Sequence, residues 1–340
     1  MEKEANTIIG VENAELLSNI KKLIQNARRR LAISVNLVMI ETYWEIGRLI
    51  VEEEQKGLER AKYGDSIVDN VSRELKIEFG KGFSRSNVFS MKKFYLKYQK
   101  VQTLSGQLSW SHYLHLLLIK DDDERNFYEK ECANSNWSVR ELKRQIDSAL
   151  YYRLLICRDK KDKDEIMHLA EKGITYSKPI DVLKDPIVFD FIGETEPKPR
   201  LESDLQSALL NHLKEFLLEL GRGFMFVSTQ YRISMTGKNY YVDLVLYNKI
   251  LRCYVLIDLK MGDFEPENLG QMNFYVNYFK KEINDDGDNE PIGIILCADK
   301  DNVVVECSMD GIRNNIYPAK YTFVIPSKEE LEQELNRYIK

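Results

Sequence analysis

Residues 240–260 read YYVDLVLYNKILRCYVLIDLK. YYVDLVLY (240–247) and LRCYVLIDLK (251–260) are rich in β-branched and aromatic side chains and are separated only by Asn248, Lys249 and Ile250. That pattern predicts two consecutive antiparallel strands. On a strand, residues two apart share a face, so Asp258 and Lys260 point the same way and Leu259 points into the opposite layer. Charged groups closing an apolar strand need compensation. If the strands pair, Asp243 approaches Asp258, and the two carboxylates form a pocket for a hard divalent ion, Mg2+ or Mn2+. A backbone carbonyl, that of Leu259, and waters would complete the oxygen shell.

Phosphodiester hydrolysis needs a nucleophilic water, charge stabilisation at phosphorus and relief for the leaving oxygen, which a metal site can serve. Lys260 beside such a site orients the water or stabilises developing negative charge. Gln271 and Tyr275, four apart on the next helix, share a face and can support Lys260 or the water. An Asp-x-Lys triplet alone occurs by chance in many proteins. It gains meaning from the order of elements around it.

Upstream, FMFVSTQYRI (224–233) is a third strand joined through the turn-forming TGKN, preceded by an amphipathic helix over 201–220 that Gly221 and Gly223 stop. Downstream come a helix, ENLGQMNFYVNYFKKEI, the apolar run IGIILCA, a short run YTFVI (321–325), and a tail that Ser327 and Glu330 open as a capping box. Helix, three strands, helix and strand describe an α/β core with a mixed sheet. The charged run RDKKDKDE from Arg158, then Pro179, Pro186, Pro197 and Pro199, predicts an extended linker. The expected domains are therefore 1–165, a linker over 166–199, and 200–340.

All eight prolines lie at or beyond Pro179, so the first half reads as helical. Leu16, Ile20, Leu23, Ile24, Ala27 and Leu31 recur at helical spacing, continued by an apolar pattern to Leu49, which fits two helices or one bent helix. Ser138 with Glu141 opens a further helix, with Arg140 and Arg144 on a basic face. Between Arg73 and Lys100 stand eight basic residues against two acidic ones, interleaved with aromatics. This segment reads as helix, glycine-containing turn, helix, with Ser84 as N-cap. Arg85 and Asn87 then lie where a recognition helix reaches base edges, and Lys92, Lys93 and Lys97 where phosphates are met. The bland alternative is a solvated basic helix within a bundle.

A length of 340 residues exceeds the roughly 250 that one core usually serves. A net charge of −5 argues against coating nucleic acid through bulk charge. No window reaches the roughly 20 apolar residues of a membrane span, and no export signal is visible. The five cysteines (Cys132, Cys157, Cys253, Cys297, Cys307) are odd in number, scattered and never spaced C-x-x-C, so neither a disulfide framework nor a zinc site is indicated. A cytoplasmic protein without a membrane partner is expected. His112 and His115 lack a third ligand nearby and read as a packed or surface pair.

The stretches ESDLQSALLNHLKEFLLELGRGFMFVSTQYRI, YYVDLVLYNKILRCYVLIDLKMGDFEPENLGQMNFY and PIGIILCADKDNVVVE resemble the YhcG-type family of PD-(D/E)XK nucleases over roughly 200–325. GFSRSNVFSMKKFY, LSWSHYLHLLL and NWSVRELKRQI resemble that family's accompanying helical domain. The resemblance implies a restriction-endonuclease-like mixed sheet flanked by helices, preceded by a mainly helical domain. It gives Asp243 and Asp258 to the metal, Lys260 to catalysis, Gln271 to support, and Glu202 to the first acidic position. The chain departs from the family in carrying Asp258 where Glu is usual in Glu-Leu-Lys, and the shorter side chain can shift metal preference. The implied activity is a metal-dependent DNA endonuclease; RNA cleavage shares the chemistry, and pairing into a homodimer would cut both strands. A non-catalytic nucleic-acid-binding or interaction protein of the same fold is the alternative, which intact Asp243, Asp258 and Lys260 disfavour.

Overall fold

The computed structural model describes residues 2–56, 63–99, 105–157, 163–193, 199–312 and 314–337. Lys100, the head of the charged run (158–162) and Pro197 lie outside them. The chain divides into two compact units, Met1–Arg125 with Asn136–Val139, and Asn126–Ser135 with Arg140–Lys340.

The first unit contains α1 (Glu2–Lys56), α2 (Tyr63–Phe79), α3 (Arg85–Lys97) and α4 (Trp110–Leu116). The apolar pattern predicted as two helices or one bent helix is a single helix, α1. Ile40, Trp44 and Ile50 on its later turns are buried, as are Val88, Met91 and Phe94 of α3, whereas Leu16, Leu23, Ile24 and Leu31 are exposed. Gly80, at φ 90°, supplies the left-handed turn between α2 and α3 that a side chain would resist. The Ser84 hydroxyl caps α3 by accepting the Asn87 N–H at 3.3 Å.

The second unit adds most of α5 (Asp122–Ser135), then α6 (Val139–Asp147), α7 (Leu150–Ile156), α8 (Lys163–Lys172), β1 (Ile187–Val188) and α9 (Asp190–Gly193). There follow α10 (Glu202–Asn211), α11 (Leu213–Leu220), β2 (Phe224–Met235), β3 (Lys238–Asn248), β4 (Cys253–Leu259) and α12 (Pro266–Tyr278). The chain closes with β5 (Ile292–Cys297), α13 (Asn302–Met309), β6 (Asn315–Thr322) and α14 (Lys328–Arg337). The six-stranded mixed sheet has the order β1-β6-β5-β4-β3-β2. Its β2–β3–β4 part is antiparallel and its β4–β5–β6–β1 part parallel. One face packs Leu205, Leu209, Phe216 and Leu220 of α10 and α11 on Leu244, Val255, Ile257 and Leu259. The other packs Leu269, Met272, Tyr275 and Val276 of α12 on Val245, Leu256 and Ile295. α12 approaches closely because Gly293 lacks a Cβ, which would stand 2.5 Å from the Met272 Cγ.

The structure differs from the sequence expectations at four points. The linker over 166–199 is instead structured wherever it is described: α8 occupies its start, Val182, Leu183, Ile187, Phe189 and Ile192 enter the core, and β1 pairs with β6. The prolines hide this, because the strand is only two residues long. The compact units also divide earlier than 165, since α6 and α7 belong to the second unit. Arg153 of α7, fully buried, donates to Glu219 at 2.5 Å and to the Pro186 carbonyl at 3.0 Å, while Arg144 of α6, read as part of a basic face, bonds Asp190 at 2.6 Å and Glu219 at 3.1 Å. The helix over 201–220 breaks at His212 (φ −111°, ψ 32°) into α10 and α11. Finally, the last strand lies at Asn315–Thr322, earlier than YTFVI, and contains Pro318 in its interior. The tail capping box forms as expected: Glu330 accepts the Ser327 N–H at 2.9 Å and its own N–H reaches Ser327 Oγ at 3.2 Å.

Candidate active site

The antiparallel register of β3 and β4 ends in the pair Leu244↔Ile257, so Asp243 stands opposite Asp258 one step further on. In place of the next ladder bond, the Leu259 N–H donates to Asp243 Oδ2 at 2.8 Å. Across β2 the pairs Thr229↔Leu244 and Tyr231↔Val242 flank Gln230 opposite Asp243. Gln230, Asp243 and Asp258 thus form a row across three strands.

Asp258 is buried, and its Oδ2 makes no hydrogen bond of good geometry. The Lys260 ammonium lies in ion-pair contact with that oxygen at 2.8 Å and 4.0 Å from Glu202 Oε2. Burial pushes the Asp258 carboxyl up to about 6, against the opposing pull of Lys260. For Lys260, burial disfavours the charge, but contact with Asp258 and the fields of Glu202 and Asp243 outweigh it, and the ammonium titrates above the ordinary lysine value. A positive charge is therefore what this pocket attracts. Glu202 reaches it from the first turn of α10.

On α12, the Gln271 amide donates to the Tyr275 hydroxyl at 2.7 Å, which donates to the Tyr241 carbonyl at 2.8 Å. Gln271 and Tyr275 thus share a face as the spacing requires, and their hydrogen bonds run to β3. The structure adds two residues absent from the sequence reading. Gln230 donates to Asp243 Oδ1 at 2.8 Å and to Gln206 Oε1 at 3.1 Å, and Gln206 donates to the Asp243 carbonyl at 2.9 Å. Gln230 was findable: the TGKN turn pairs Met235 with Lys238, and counting back along the hairpin brings it opposite Asp243. Gln206 had no such signal.

Among the described residues no group of three or more His, Cys, Asp and Glu side chains is arranged to hold a metal ion. A Mg2+ site needs fewer, because this ion keeps several waters and is commonly held by one or two carboxylates. The buried, incompletely bonded Asp258 oxygen beside Asp243 fits that demand. His112 is structural: its Nδ1 faces the Ser109 N–H at 3.0 Å and its Nε2 the Trp137 carbonyl at 3.1 Å. The five cysteines are free thiols.

The basic residues of α3 are already engaged within the first unit. Arg85 pairs with Asp69, Lys92 with Glu54 at 2.6 Å and Lys97 with Asp122 at 2.9 Å, while Lys93 lies over the Phe89 ring at 5.0 Å. Asn87 spends its amide on the Gly82 carbonyl and its oxygen on the Trp110 indole N–H at 2.7 Å. Reading a base edge would require Asn87 to break both bonds, and its structural role is the one these contacts support. Asn87→Ala is expected to cost about 1 kcal/mol through the orphaned indole donor, with DNA sequence preference unchanged. Chemical denaturation and binding to a randomised DNA pool check the two halves of this prediction.

The family described as "YhcG PDDEXK nuclease domain" matches residues 180–336, and the "DUF1016 N-terminal domain" matches residues 19–153. "Putative nuclease YhcG" of Escherichia coli (strain K12) is 36% identical over 355 residues, covering 95% of this chain and 93% of that protein. Two solved structures show limited similarity. A repair endonuclease from Pyrococcus abyssi shares 18% identity over 36% of this chain and 49% of its own (TM-score 0.26). An EndoMS–dsDNA complex shares 17% over 40% of this chain and 50% of its own (TM-score 0.27). The chain spans about half the length of each of these two structures. Among the described residues, no helix is long and apolar enough to cross a membrane.

Proposed function

The chain belongs to the YhcG family of PDDEXK nucleases, and from that premise we propose that it is a metal-dependent DNA endonuclease acting through Asp243, Asp258 and Lys260. The observation that carries this is the placement of Asp243 opposite Asp258, one step beyond the last β3–β4 pair, with Lys260 at 2.8 Å from Asp258. Asp243, Asp258 and the Leu259 carbonyl would hold Mg2+ or Mn2+, with Glu202 at the open side. When bound, such an ion supplies a nucleophilic water at neutral pH and charge stabilisation at phosphorus.

The side chains supply the rest. Lys260 is a donor with no acceptor capacity. Between carboxylates it stays charged, so its role is to stabilise the negative charge that grows on the phosphoryl oxygens. Gln271, tied through Tyr275 to β3, is assigned the supporting role toward Lys260 or the water.

Incubating the protein with supercoiled, linear and branched DNA and with RNA, each with Mg2+, Mn2+ or chelator, tests the reading. Ion-dependent products from DNA are expected; products from RNA alone would reassign the substrate. The roles within the pocket separate by metal binding. Asp258→Ala is expected to weaken Mn2+ binding about 100-fold, whereas Lys260→Ala should bind at least as well as the parent, since an ammonium competes for the carboxylate and is no ligand itself. Calorimetric titration compares them.

A further inference from the structure

We infer that Gln230 is a positioning residue, held by Gln206, that fixes the Asp243 carboxylate for cation binding; this rests on the metal reading above. Asp243 sits near the open end of the β3–β4 ladder, beyond its last pair. A carboxylate there would rotate about its side-chain bonds unless both oxygens were tied. They are tied from opposite sides: Oδ2 by the Leu259 N–H at 2.8 Å and Oδ1 by the Gln230 amide at 2.8 Å. Each oxygen accepts one bond and keeps lone-pair capacity for a cation.

Gln206 fixes the direction of the Gln230 amide. Gln206 Nε2 faces the Asp243 carbonyl, which can only accept, so its Oε1 is the atom turned to Gln230 and requires a donor there. The Gln230 NH2 group is the only end of that side chain that satisfies both Gln206 Oε1 and Asp243 Oδ1. One side-chain rotamer, set from α10, thus orients a carboxylate on β3.

The backbone carries a second, independent mark. Gln230 has φ 48° inside β2, a left-handed conformation that a side chain with a Cβ disfavours. Glycine would satisfy this backbone better. The strained backbone coincides with the glutamine that reaches Asp243, and strain of this kind gathers at functional sites when the surroundings hold it in place.

The test uses Gln230→Gly, which removes the amide and relieves the backbone, with Mn2+ binding read by calorimetry and stability by thermal melting. Expected are a melting temperature equal to or above that of the parent and a 10- to 100-fold loss of Mn2+ affinity, roughly the range for removing a group that orients a metal ligand. Cleavage should then recover as Mn2+ is raised. Gln206→Ala should weaken Mn2+ binding in the same direction and by less. A merely structural glutamine would lower the melting temperature and leave Mn2+ affinity alone. Unchanged Mn2+ affinity in Gln230→Gly, with a parent that binds Mn2+, overturns this inference and leaves the metal site standing. A parent that does not bind Mn2+ overturns the metal reading and this inference with it.

Discussion

Asp258→Ala is expected to reduce metal-dependent cleavage by about a thousandfold or more, equivalent to roughly 4 kcal/mol of transition-state stabilisation, while the protein remains folded. The loss follows from position. Asp258 closes β4 opposite Asp243, its buried Oδ2 lacks a well-formed hydrogen bond, and burial lifts its carboxyl to about 6. Lys260 offsets only part of the cost of burying this carboxylate, and a bound cation would offset more. Removing the carboxylate leaves the apolar packing of Leu256, Ile257 and Leu259 in place, so thermal stability should stay near that of the parent or rise. Plasmid cleavage over a time course and circular dichroism melting read the two quantities. Parent-like cleavage by Asp258→Ala would remove this residue from the mechanism.

Glu219→Ala is expected to destabilise the second unit by about 3–5 kcal/mol, the usual consequence of leaving buried charges uncompensated. Glu219 is fully buried on α11 and meets Arg153 at 2.5 Å and Arg144 at 3.1 Å, and it also accepts the Val188 N–H of β1 at 3.1 Å. Burial alone would raise its carboxyl, but Arg153, Lys184 and Arg144 outweigh that and hold it down at about 2. Because the folded value lies below the unfolded one, near 4.3, this carboxylate stabilises the fold above that pH. The contribution erodes as pH falls through about 2. Urea unfolding at pH 7 measures the loss. A change under about 1 kcal/mol, the scale of an exposed pair, would show that the network is not what joins α6, α7 and β1 to α11. The same comparison repeated at acid pH should narrow the gap between parent and variant.

The hairpin strands and the Asp258-x-Lys260 pair were legible because their signal is local: alternation, β-branching and a two-residue offset that survives in any strand. The helical first half was legible for the same reason, its apolar spacing uninterrupted by proline. β1 was not, since two residues between prolines carry no periodicity and depend on Glu219 and β6, 31 residues and far more away in sequence. β6 was misplaced because Pro318 argues against a central strand, yet it sits between β5 and β1. The basic stretch was legible only in part. Its charges were visible, but Asp69, Glu54 and Asp122, which answer them, are 16, 38 and 25 residues distant. In the pocket, the acids and the lysine announced themselves by residue type. Gln206 did not, because a glutamine becomes informative only when its partner's place in space is known.

Supercoiled plasmid incubated with the parent chain in Mn2+, beside an identical reaction containing excess chelator, tests the central claim most directly. Open-circular and linear products that appear with Mn2+ and vanish with chelator are the predicted result. Intact plasmid under every ion condition, or equal cleavage with and without chelator, would contradict a metal-dependent endonuclease built on Asp243, Asp258 and Lys260.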